Sequence, residues 1–279
     1  MSRIQATFDT VKSQNRAALV TFIMGGDPSI EVSQSILDAL PGAGADIIEV
    51  GMPFTDPAAD GLTIQRAGIR ALEAGMTLRK TLEMVRNFRS KNDTTPIVLM
   101  GYANPVFSYG YEDFARDAAV AGVDGLIIVD LPPEEDSDLR VQAAKHGIEM
   151  IRLVTPTTDE MRLETVLDGA GGFLYYVSVT GVTGGAKADP DSLTSHLDMV
   201  RKKTNIPVVV GFGIKTPQDA AGMARVADGV VVGSAIVEKI KDIKLSAPDI
   251  DPVLGLVRGL SESLKNAQRL DSVKKSGTV

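Results

Sequence analysis

One pattern runs through nearly the whole chain. A short, almost wholly apolar run leads into a loop containing Gly, Pro or Asp, and a polar–apolar stretch of helical period follows. The apolar runs occupy 18–24, 46–52, 96–102, 124–130, 149–154, 173–179, 206–212 and 228–234, eight in all. Their continuous Val- and Ile-rich character is that of parallel strands covered on both faces. Stretches such as 29–40, 112–122, 133–147 and 216–227 alternate with them and have helical spacing. Strand–helix alternation implies right-handed crossovers and a parallel sheet. Eight units in 279 residues predict a single-domain α/β protein, a (β/α)8 TIM barrel over 1–267, preceded by a short amphipathic helix. A doubly wound open sheet is the competing topology. It is disfavoured because no G-x-G-x-x-G follows the first run and eight strands would make a large open sheet. The polar tail, 268–279, is expected to fray.

Composition narrows the chemistry. There are no cysteines and two histidines, His146 and His196. Thiolate catalysis, disulfides, zinc–thiolate sites and a three-histidine metal centre are thereby excluded, and no metal site is expected. The net charge of −7 disfavours nucleic acid and anionic membranes as partners. No apolar run approaches the roughly 20 residues that cross a bilayer, and the N-terminus lacks the apolar core of a signal peptide. A cytoplasmic protein is expected.

Several strands follow a similar turn: Ala43-Gly44-Ala45-Asp46, Ala121-Gly122-Val123-Asp124 and Val226-Ala227-Asp228. These belong at the bottom of the barrel and read as structural. Function belongs at the other end, where this fold assembles its active sites from the loops after the strands. Three loops there are unusual. The first, 50–65, follows Glu49 and carries Asp56 and Asp60. Side chains alternate along a strand, so Ile47 and Glu49 share a face. If that face lines the barrel, Glu49 sits among apolar neighbours and its pKa rises, which suits a group that both gives and takes a proton near neutrality. A salt-bridged strand end accounts for Glu49 equally well, and Asp60 taken alone reads as an Asp-Gly turn. The second, 178–190, is rich in Gly, Ser and Thr and reads as a lid supplying backbone N–H groups. The third signal is a pair of glycine loops, 210–219 and 232–240, after the last two strands. That is the common phosphate position of this fold, and Gly233-Ser234 opens a helix there. The residues alone therefore predict a barrel enzyme acting on a phosphorylated small molecule through carboxylates.

The segment IIEVGMPFTDPAADGLTIQ resembles the signature of the tryptophan synthase α-subunit family, and supporting motifs run along roughly 1–265: TFIMGGDP, PIVLMGYANPVFSYG, VDLPPEE, YYVSVTGVTGG, GFGI and GSAIV. The resemblance implies a lyase that splits indole-3-glycerol phosphate by retro-aldol cleavage into indole and glyceraldehyde 3-phosphate. It implies Glu49 as the general acid/base and Asp60 as the carboxylate that accepts the indole N–H. Phe22, Met100, Ile127, Tyr175 and Phe212 match positions that wall the indole pocket. Thr183 matches a lid residue that meets Asp60, and Gly184, Gly213, Gly233 and Ser234 match the phosphate site. Asp56, Tyr102 and Asn104 match positions near a partner, the β subunit. That subunit carries pyridoxal phosphate in an expected α2β2 heterotetramer, and no cofactor is implied for this chain. The sequence departs from the family pattern at Leu62, where a proline is usual, at Thr21 and Met24 in the first strand, and at Val179. None of these removes a proposed catalytic group. Leu62 raises the question of how firmly the loop holding Asp60 is fixed.

Overall fold

The computed structural model describes residues 1–177, 190–211 and 213–267. The strands among them are β1 (Ala18–Met24), β2 (Ile47–Gly51), β3 (Ile97–Gly101), β4 (Gly125–Ile128), β5 (Glu149–Met150), β6 (Arg152–Val154), β7 (Leu174–Val177), β8 (Val208–Gly211) and β9 (Gly229–Val232). Their order is β5-β4-β3-β2-β1-β9-β8-β7-β6, and every pairing is parallel. The result is a nearly closed barrel with helices outside it. Where one fifth strand is expected over 149–154, the structure has two short ones flanking Ile151. The reason lies in the pairing. β5 bonds only to β4 and β6 only to β7, so the chain changes neighbour in mid-run. The Ile151 N–H still donates to the Leu126 carbonyl at 2.9 Å, and the barrel closes through this segment.

The alternation of side chains along each strand divides the core in two. Ala18, Val20, Ile47, Val98, Ile127, Ile151, Phe173, Val209 and Val231 point inward and pack on one another. The outward-facing residues form a larger cluster with the helices. Helix α1 (Arg3–Ser13) plugs the bottom of the barrel. Ser2 caps it by accepting the Gln5 N–H at 3.1 Å, and its buried face of Ile4, Phe8 and Val11 joins the inner cluster. The Phe8 ring lies 6.0 Å from that of Phe173. With one end sealed, a ligand can approach only from the other.

The aspartates of the bottom turns stitch neighbouring strands together. Each uses its backbone N–H and its carboxylate on the same residue of the preceding strand. The Asp46 N–H donates to the Leu19 carbonyl, that of Asp124 to Ile97 and that of Asp228 to Val208. In return Asp46 accepts the Leu19 N–H at 2.8 Å, Asp124 that of Ile97 at 2.8 Å and Asp228 that of Val208 at 3.0 Å. A carboxylate thus satisfies a backbone donor at the start of the sheet. Arg16 on Asp46, and Arg3 and Arg89 on Asp124, balance the charge.

Candidate active site

At the open end, Glu49 lies on the inner face of β2, in register with Phe22 of β1 and Val98 of β3. It is fully buried. Neither carboxylate oxygen has a hydrogen-bond partner among the described residues, which removes the salt-bridged strand end as an account of this residue. Without a counter-charge, burial disfavours the ionised form and pushes the pKa up to about 8. Tyr175 of β7 shares this interior. Burial, and then the Glu49 charge, hold its phenol well above the ordinary range. The tyrosine fits because Gly211 ends β8: a Cβ there would come within 2.4 Å of the Tyr175 hydroxyl.

The loop after β2 brings the second carboxylate over the same opening. Asp60 is half-buried and lines a cleft with Phe22, Met24, Met52, Met100 and Tyr102. Three contacts hold the loop. The Asp60 N–H donates to the Pro57 carbonyl at 3.1 Å, the Gln65 side-chain amide donates to the Asp60 carbonyl at 2.8 Å, and the Ala59 N–H donates to the Tyr102 hydroxyl at 3.1 Å. Burial raises the Asp60 pKa, and a hydrogen bond from Tyr102 draws it partly back. Leu62 is the first residue of α3 (Leu62–Glu73) and is 66% exposed. That position tolerates proline but does not need it, and the contacts that fix the loop bypass it.

Helix α3 is itself anchored. The Asp27 carboxylate, fully buried after β1, receives Arg70 of α3 in a two-point pair at 2.7 and 2.8 Å. Thr63 at the start of α3 donates to Glu238 at 2.8 Å, on α11 (Ser234–Ile240) after β9. The helix that follows the Asp60 loop is thereby tied to the units after β1 and β9.

The glycines after β8 and β9 stand side by side, because those strands pair. Gly213 has a φ of +68° with no atom within 4 Å of a would-be Cβ, so its backbone is free for close approach by a ligand. Gly233 opens α11 without a side-chain cap, and Ser234 is exposed. Ile127 is fully buried in the inner cluster, and Met100 borders it. Thr183, Gly184, Phe212 and Val179 lie outside the described residues.

Among the residues expected near a partner, Asp56 and Asn104 are exposed, but Tyr102 is only 4% exposed and points into the cleft. Sequence reasoning missed its contact with the Asp60 loop. A signal was available: Tyr102 is two residues beyond inward-facing Met100, so strand alternation carries it inward too. The Asp27–Arg70 pair left no comparable trace, since neither residue lies in a strand pattern. Thr21 faces outward from β1 with its hydroxyl buried and without a partner among the described residues, and nothing in the structure explains it. No three His, Asp or Glu residues among those described are grouped to hold a metal ion. No helix among them is long and apolar enough to cross a membrane.

A buried acid and a second carboxylate at the mouth of a parallel barrel define the class: a (β/α)8-barrel enzyme with two carboxylates at its open end. A family model described as tryptophan synthase alpha chain matches residues 8–264, and the chain belongs to that family. The chain is similar to the crystal structure of tryptophan synthase subunit alpha from Legionella pneumophila str. Paris, at 38% identity and a TM-score of 0.89, over 95% of this chain and 99% of that one. It is also similar to tryptophan synthase from M. tuberculosis in an aminoacrylate-bound form, at 35% identity and a TM-score of 0.84, over 95% of this chain and 100% of that one. The family places this enzyme in tryptophan biosynthesis, as a lyase of the alpha-chain type.

Proposed function

We propose that the chain cleaves indole-3-glycerol phosphate to indole and glyceraldehyde 3-phosphate, with Glu49 as general acid/base and Asp60 as the charge-stabilising carboxylate. The observation that carries this assignment is the buried Glu49, without a hydrogen-bond partner among the described residues and with its pKa pushed up to about 8. A carboxyl of that pKa is protonated at neutrality and can give its proton to the ring carbon that bears the glycerol chain. The ring then carries positive charge shared with its N–H, which Asp60 accepts. The carboxylate left at Glu49 takes the proton from the adjacent glycerol hydroxyl. That oxygen becomes the aldehyde carbonyl, the carbon–carbon bond breaks, and its electrons restore the aromatic ring. One residue both donates and accepts, so the proton count closes. Asp60 works only when ionised and Glu49 starts protonated, and their different surroundings separate the two roles.

Phe22, Met100, Ile127 and Tyr175, together with Phe212, would wall the indole. Gly213, Gly233 and Ser234, together with Gly184, would receive the phosphate, and Thr183 would meet Asp60. Indole would pass to a β subunit carrying pyridoxal phosphate, in a cytoplasmic α2β2 assembly with Asp56 and Asn104 at the contact. No cofactor is assigned to this chain. The test is indole release from indole-3-glycerol phosphate by the purified chain, with and without a β subunit. Release that rises on adding the β subunit is the expected result. Strong release that the partner leaves unchanged would point instead to a stand-alone lyase, and no release in either case would refute the activity.

A further inference from the structure

Tyr102 stands one residue past β3 and is almost completely buried. Its ring packs on Phe54 of the loop after β2, with 5.5 Å between centroids. Its hydroxyl accepts the Ala59 N–H at 3.1 Å, and it lines the same cleft as the next residue, Asp60. A phenol has lone pairs to accept with and one proton to give. Ala59 uses a lone pair, which leaves the proton for the adjacent carboxylate.

We propose that Tyr102 is a positioning residue that latches two consecutive residues of the loop, accepting from Ala59 and donating to Asp60, so that Asp60 stays ionised and fixed over the cleft. The latch runs from the end of one strand to the loop after its neighbour, so it can fix Asp60 without help from the rest of the loop. Its electrostatic consequence is visible on both partners: Tyr102 offsets part of the burial effect on Asp60, and the Asp60 charge adds to the rise of the Tyr102 phenol. A donated hydrogen bond to a carboxylate favours the charged form, and in a half-buried site the effect exceeds that in water. The inference rests on Asp60 being the group that meets the indole N–H.

The test is Tyr102→Phe, which keeps the ring on Phe54 and removes only the hydroxyl. Indole release is expected to fall at the acidic end of the profile, up to about tenfold where the pH lies below the Asp60 pKa of both proteins, the effect of roughly one pKa unit on the ionised fraction. Relative to wild type at the same pH, the deficit is expected to shrink as pH rises and Asp60 ionises in both proteins. A deficit that is constant with pH, or no deficit, would overturn the latch. A second measurement does not depend on turnover: titration of the Asp60 carboxyl carbon by 13C NMR in both proteins. An upward shift in the variant supports the proposal, and identical titrations overturn it. If wild type releases no indole, the proposed reaction fails, while the titration still decides the latch.

Discussion

Glu49 carries a conflict between stability and function that can be measured. An ordinary glutamate ionises near 4.5, whereas the folded chain holds this one protonated to about 8. Between those values the folded state keeps a proton that the unfolded chain releases, so stability falls as pH rises through this window. Glutamine is neutral throughout. Glu49→Gln is therefore expected to gain stability over wild type progressively between about pH 4.5 and 8, reaching a few kcal/mol at the upper end. Chemical denaturation across that range checks this, and a difference independent of pH would contradict it. Asp60 has the opposite requirement. Asp60→Asn keeps the shape and removes the charge, and is expected to raise the barrier by about 3 kcal/mol, seen as a fall in kcat. Of the two carboxylates, strand alternation offers Glu49 as a barrel-lining group but leaves a salt-bridged strand end equally open. Asp60 was legible only through the family signature, because an Asp-Gly pair in isolation looks like a turn. The resemblance matches Tyr102 to a position near the partner subunit. Strand alternation from Met100 carries Tyr102 inward, but the loop it meets there is distant in sequence, and no local pattern encodes that contact.

At the scale of elements, the eight apolar runs and the leading amphipathic helix could be read from periodicity, because burial on both faces leaves a continuous signal. The division of the fifth run at Ile151 could not: the run carries Glu149 and Arg152, but only the change of pairing partner separates β5 from β6. The aspartate stitches were also invisible as such. The turns marked where strands begin, but not that each carboxylate would return to the strand before. Helix α1 makes the clearest separation of stability from chemistry. Phe8→Ala removes a buried ring at the sealed end and is expected to cost about 3–5 kcal/mol in denaturant unfolding. The folded variant should keep its kcat, and a large loss of kcat would show that the plug shapes the site. The glycine loop after β8 makes the reverse case. Gly213 has open space around it but a φ of +68°, so Gly213→Leu both fills that space and strains the turn, and is expected to raise KM more for the phosphorylated substrate than for a phosphate-free analogue. An equal effect on both would count against a phosphate contact there.

For the whole molecule, the barrel divides its labour by end. Helix α1, the aspartate stitches and their arginines close the bottom. The top gathers Glu49, Asp60 and the paired glycine loops from three strands, β2, β8 and β9. The Asp27–Arg70 and Thr63–Glu238 contacts then bind the Asp60 loop to the units after β1 and β9, so Asp60 is held by the frame rather than by the loop alone. The central claim is that a buried, protonated Glu49 drives cleavage. It is tested most directly by indole release from indole-3-glycerol phosphate, followed from about pH 5 to pH 10 in wild type and Glu49→Gln with the β subunit present. The account predicts a wild-type profile whose alkaline limb falls near pH 8, with release abolished in the variant. A Glu49→Gln protein that kept most of its turnover would contradict it.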